Sequence, residues 1–216
     1  MEKFILGKPG GAIAKVESFI TSRLLSRARE RSNRYPSDLF TQLMLSLPAT
    51  SLETMPIHIT KNSEVYFYLN TRPKNDPILD WAGKYHGIGV MILNQDVPKD
   101  TSVRLAWDKL SKTEIGKKTD IPMELITREL MVGGRGVETA RIHTVLVPDD
   151  LSEGRYFKIK ELGGVDIIEH HKVILANVFN TLPSFIDEGR LQLGGIDIEK
   201  VSHDLWAARN MFSLHS

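Results

Sequence analysis

No cysteine occurs among the 216 residues of the chain, which excludes a disulfide framework and any thiolate metal site and leaves the redox compartment open. Neither sign of charge is in excess. Lys and Arg number 28 against 27 Asp and Glu, a formal net charge of +1, so no global field calls for nucleic acid or an anionic membrane. Any such partner would need a local patch. No apolar run approaches the length that crosses a bilayer, and the opening MEKFILGKPGG has neither a signal-type apolar core nor a cleavage site. The expectation is a soluble, cytoplasmic protein. Repeats and low-complexity tracts are also lacking. With 41% hydrophobic residues, the chain can fill one core with additions but is short for two full domains.

Periodicity supplies the elements. Ile13, Val16, Phe19, Ile20, Leu24 and Leu25 recur at helical spacing, predicting an amphipathic helix that stops near Tyr35-Pro36, where a residue before proline is pushed out of the α region. Its later half carries Arg23, Arg27, Arg29, Arg31 and Arg34 against Glu30, which reads as a solvated helix end or as a patch for phosphate-rich ligands or nucleic acid. A second helix is predicted from Ser37 to Leu47. Met55 to Thr60 and Glu64 to Asn70 read as strands joined by a turn at Lys61-Asn62-Ser63, with Val65, Phe67 and Leu69 on one face and Tyr66 and Tyr68 on the other. His86 to Leu93, Ala140 to Val147 and Tyr156 to Lys160 are strand-like. The stretch KKTDIPMELITREL reads as a loop leading to a strand near Leu130. Glu169 to Leu182 reads as a helix ended by Pro183, and a short terminal helix is expected from about Asp197. Strands and helices in this order suit an α+β sandwich.

The segment Thr101 to Gly116, TSVRLAWDKLSKTEIG, resembles the catalytic helix of Nudix hydrolases, and is most similar to the incomplete box of GDP-mannose mannosyl hydrolases. Gly116 falls on the closing glycine, Glu114 on the last glutamate, and Ala106, Trp107 and Leu110 on apolar positions. Thr101, Lys109, Leu110 and Thr113 stand where the family's other charged residues stand, so the box is degenerate. Gly87 and Gly89 stand for the glycine pair before the helix. Arg72-Pro73, Trp81, RIHTVLV and EHHKVILANVFNTL resemble further family segments in the same order. The resemblance runs from about Asp38 to Leu182 and implies an α/β/α Nudix sandwich over 38–182. An N-terminal helical extension, 1–37, and a C-terminal extension, 183–216, would flank it.

What the resemblance implies for the site follows residue by residue. Glu114, Glu169 and the glycine Gly89 are candidate magnesium ligands, with Asp100 a substitute for the missing early glutamate. His170 is the candidate general base, in the place of a Gln-His pair late in the domain. Arg72 and Arg135 would pair with phosphates through bidentate guanidinium contacts, and Trp81 or Tyr85 would stack on a base. Each has a plain structural reading: an exposed helix glutamate for Glu114, a packing histidine for His170, a β-connection for Gly133-Gly134-Arg135-Gly136. His143, on an apolar-flanked strand, reads as a core histidine. The glycines of GKPGGAIAK lack the spacing of a phosphate-binding loop.

The expected function is recognition of a nucleoside-diphosphate-linked small molecule, of nucleotide-sugar type, with slow magnesium-dependent hydrolysis left open. The alternative is a catalytically silent module that binds RNA or a protein partner through the arginine-rich face. Phe19 and Leu24 are candidate homodimer contacts.

Overall fold

The computed structural model describes residues 49–76, 79–92, 99–117, 119–120, 122–132, 136–191 and 193–212. The stretches predicted as N-terminal helices, the arginine-rich segment, Phe19, Leu24 and Arg135 lie outside the described residues.

Seven strands form one mixed sheet: β1 (Ala49–Ile59), β2 (Val65–Thr71), β3 (Tyr85–His86), β4 (Ile88–Ile92), β5 (Met123–Val132), β6 (Gly136–Leu146) and β7 (Arg155–Lys158). β1 is central. One edge pairs parallel with β6 from Ala49↔Glu138 to Ile57↔Leu146. The other edge is divided: Thr50 to Thr54 pair with β4, and Ile57 to Ile59 pair with β2. Between these two pairings sit Met55 and Pro56, and this explains a buried-strand proline. Met55 O and Ile57 O both accept from the β6 side, from Thr144 Oγ1 at 2.8 Å and Val147 N at 2.8 Å. By the alternation of parallel pairing, Pro56 therefore turns toward the gap between the two pairings, where its missing N–H leaves no ladder bond unmade.

Alternation also sorts the core. Met55, Ile57, Phe67 and Leu69 face one side, with Ile142 and Leu130, and pack against α2 (Glu169–Asp187). Leu52, Tyr68 and Ile88 face the other, with Val145, and pack against Trp107, Leu110 and Ile115 of the box helix. The result is helix on sheet on helix, an α+β sandwich.

The box helix is α1 (Lys99–Leu110), continued by a single π turn over Ser111–Ile115. It stops where Gly116 takes φ 74°, a left-handed cap that favours glycine. Trp107 is enclosed beneath the helix and its indole N–H is satisfied by Asp120 O at 2.8 Å and Thr119 Oγ1 at 3.1 Å.

Three sequence expectations are corrected. α2 does not end before Pro183 but runs through it to Asp187. The interior proline costs about 3 kcal/mol, whereas burying Phe185 and Ile186 one turn on returns roughly 1.5–3 kcal/mol each. β1 begins at Ala49, six residues before the predicted Met55, because its polar half, Ser51, Glu53 and Thr54, is itself buried between β4 and β6. β5 occupies most of the stretch read as a loop, since a bulge between Glu124 and Ile126 breaks its alternation.

The C-terminal segment docks on the β1–β2 turn. Asp197 caps α3 (Ile198–Ala208) by accepting from Lys200 N at 3.0 Å, and its own N–H donates to Ser63 Oγ at 2.8 Å. Lys200 Nζ donates to Ser63 O at 2.7 Å. These bonds hold Ser63 at φ 59°, the one positive-φ non-glycine among the described residues.

Candidate functional site

The gap on β1 is filled by the turn between β3 and β4. β3 pairs with the end of β2 through Asn70↔His86 and Thr71↔Tyr85, and β4 pairs with β1. Gly87 sits between them, so close that a Cβ would lie 2.9 Å from Thr54 O and 2.6 Å from Met55 Cε. A glycine is required there by close approach. On its far side the chain 166–168 runs along β3, with Tyr85 N donating to Asp166 O and Ile168 N to Tyr85 O. This places the first turn of α2 against Gly87, whose N–H donates to His171 Nδ1 at 3.2 Å.

Three candidates from separate stretches of sequence meet at this point. Arg72 follows β2, Trp81 lies in a 3₁₀ turn (Leu79–Trp81), and His170 lies in the first turn of α2. The Arg72 guanidinium lies 5.5 Å from the Trp81 ring centroid, and the Trp81 and His170 centroids are 5.2 Å apart. The His170 and His171 rings are tilted at 48° with centroids 4.3 Å apart, and His171 meets His86 at 5.7 Å. Arg72 donates through Nε to Asp76 Oδ2 at 2.7 Å, with Nη2 at 2.5 Å from the same oxygen. Asp76 is enclosed, while 32% of the Arg72 side chain remains exposed.

Electrostatics keep the cluster neutral at its base. Burial, and then the Arg72 guanidinium, push His86 down to about 4, while its Nδ1 contacts the Gly87 carbonyl. His171 accepts at Nδ1, which requires that nitrogen to be unprotonated. Arg72 and Asp76 form an ion pair at the outer end.

The remaining candidates lie elsewhere. Glu169 is in the first turn of α2 but points outward, paired with Lys172 Nζ at 2.7 Å and 79% exposed. Gly89 is a β4 position opposite Glu53, with that carboxylate packed over it; a Cβ would lie 2.2 Å from Glu53 Oε2. Tyr85 is half-buried at the edge of the core and packs edge-on against Phe157 at 4.9 Å. His143 is enclosed, with Nδ1 2.8 Å from Arg141 O, as a core histidine should be. Asp100 lies in the first turn of α1.

Glu114 is half-buried and engaged. Asn70 Nδ2 donates to its Oε2 at 3.0 Å and to its main-chain O at 3.1 Å. Magnesium prefers six oxygen ligands, usually one or two carboxylates with waters and substrate phosphates. Among the described residues no three His, Asp or Glu side chains cluster to hold an ion, and the oxygens of Glu114 face a hydrogen-bond donor. Among the described side chains, the donor set does not fit the family's magnesium cluster.

Asn70, Asp76, His86 and His171 were not singled out from sequence. His86-Gly87 carried a faint signal, a histidine and glycine ahead of an apolar run. Asp76 stands four residues after Arg72 in a turn, where no periodicity marks a pair.

Solved structures give the class of the fold. The NrtR protein of Shewanella oneidensis, complexed with a 27mer DNA, is 13% identical and matches 73% of this chain and 76% of its own, with a TM-score of 0.50. A mutT/nudix family protein from Listeria innocua is 14% identical over 68% of this chain and 99% of its own, with a TM-score of 0.49. The NUDIX domain of the same Shewanella protein, complexed with ADP ribose, is 13% identical over 67% and 92%, with a TM-score of 0.43. The match to the Shewanella protein and the helix–sheet–helix layering agree on a Nudix-type fold. No family model and no curated protein matches the sequence.

Proposed function

We propose that the chain recognises a nucleoside-diphosphate-linked small molecule, of nucleotide-sugar type, at the exposed edge of the Arg72–Trp81 cluster, with Arg72 binding the diphosphate. The supporting observation is the state of Arg72. Asp76 holds Nε and Nη2, Trp81 lies beneath the guanidinium, and a third of the side chain faces solvent. An arginine fixed in this way loses little rotamer freedom on meeting a phosphate. Trp81 is 7% exposed, covered by Arg72 and His170; its role in this reading is to carry the guanidinium rather than to stack on a base. Arg135, beside three glycines, would add a second phosphate contact. The similar domain of NrtR was solved with ADP ribose, a ligand of this chemical class.

Hydrolysis is not part of the proposed activity, because Glu114 is held by Asn70 and His170 is packed between two rings. Calorimetry with a panel of nucleotide sugars and dinucleotides, first in chelator and then with magnesium, tests the reading. At least one ligand should bind in chelator, and Arg72→Lys, which keeps the charge beside Asp76 but not the bidentate fork, should weaken it about tenfold. A panel without a binder would remove the reading. Salt-sensitive binding of an oligonucleotide, lost when Arg23, Arg27 and Arg31 are neutralised, would favour the alternative module.

A further inference from the structure

We infer that the Asn70 amide occupies the place of a cation on Glu114, so that a hydrogen-bond donor closes the box helix where the family resemblance implies an ion. Two oxygens of one residue converge on Nδ2, the main-chain O at 3.1 Å and Oε2 at 3.0 Å. A carbonyl and a carboxylate oxygen directed at one point are donors that suit a hard divalent cation. The π turn over Ser111–Ile115 and the left-handed Gly116 leave this last turn outside the regular α ladder. Glu114 O is thereby open to a partner from the sheet.

Asn70 is set in place from its other side as well. The residue is 6% exposed, and its Oδ1 lies where a Cβ on Gly154 would approach to 2.4 Å. That Oδ1 is buried and accepts no hydrogen bond among the described residues. The amide therefore turns its donors to Glu114 while its own acceptor goes unsatisfied. The reverse orientation would bring three oxygens together with no proton between them, an arrangement that needs a cation to hold it. The side chain thus decides whether the site attracts an ion: an amide donor excludes one, and a carboxylate at the same position would demand one.

Manganese binding to the full chain, followed by paramagnetic resonance without nucleotide, tests this apart from the ligand reading above. The unmodified chain should bind weakly, and its melting temperature should not move on adding magnesium or manganese. Asn70→Asp should bind manganese at least tenfold more tightly and be stabilised by it, and the added change Glu114→Gln should abolish the gain. Asn70→Ala, which empties the place without adding charge, should also bind more tightly than the unmodified chain. Tight binding by the unmodified chain that Glu114→Gln removes would overturn the inference. A folded Asn70→Asp, or a folded Asn70→Ala, that binds no better than the unmodified chain would overturn it too.

Discussion

Asp76 shows how much one hidden carboxylate controls. Its side chain is enclosed and its charge is met by Arg72 at 2.5 Å. Truncating Arg72 to alanine leaves that charge buried, which typically costs 3–5 kcal/mol. Chemical denaturation should therefore show Arg72→Ala to be strongly destabilised and Arg72→Lys much less so; equal stability of the two would mean the pair is not desolvated. His86 gives a second test at this scale. Its folded value near 4 lies below the ordinary 6.5, so between those values the unfolded chain takes up a proton that the folded chain refuses. Stability from this group is complete above about pH 6.5 and falls as pH drops toward 4, by roughly 1–3 kcal/mol for a half-buried ring. Glu124, held near 2 chiefly by its hydrogen bond from Arg141, adds a loss in the same direction below pH 4.5. Urea melts from pH 7.5 to 4.5 should show the decline, and His86→Gln should flatten it; an unchanged slope would assign the decline to other groups.

Among the elements, the box helix rests on one tryptophan. Trp107 fills the space between α1 and the strands and donates to Asp120 O and Thr119 Oγ1. Trp107→Ala should cost about 3–5 kcal/mol from lost burial and the cavity left behind. Trp107→Phe, which keeps most of the apolar area but loses the donor, should cost about 1–3 kcal/mol, and thermal melts will separate the two. This helix was legible because its apolar residues, its closing glycine and its spacing all survive in Trp107, Leu110, Ile115 and Gly116. The pairing of Asn70 with Glu114 was not legible, since 44 residues separate them and neither type announces a partner. Pro183 misled for a local reason: a breaker weighed on its own outranks propensity, whereas in the folded chain the core contacts of Phe185 and Ile186 outweigh it.

At the scale of the whole molecule, the order of strands and helices made the α+β sandwich readable, while the division of β1 between β2 and β4 was not. That division creates the gap, and the gap gathers Arg72, Trp81, His86, His170 and His171 from three stretches of chain. The C-terminal segment belongs to the same body: Val201 and Leu205 are buried, and Ser202 Oγ donates to Asp187 Oδ1 at 2.8 Å. Removing residues 190–216 should expose the α2 face and lower the melting temperature sharply, whereas an unchanged melt would show the extension to be dispensable. The central claim is that this assembly binds a diphosphate-linked ligand through Arg72 without a metal. Calorimetric titration of the unmodified chain with the nucleotide-sugar panel, in excess chelator, tests it most directly. Saturable, one-site binding of at least one member is expected under those conditions; heat of binding that appears only when magnesium is restored would rule out metal-free recognition.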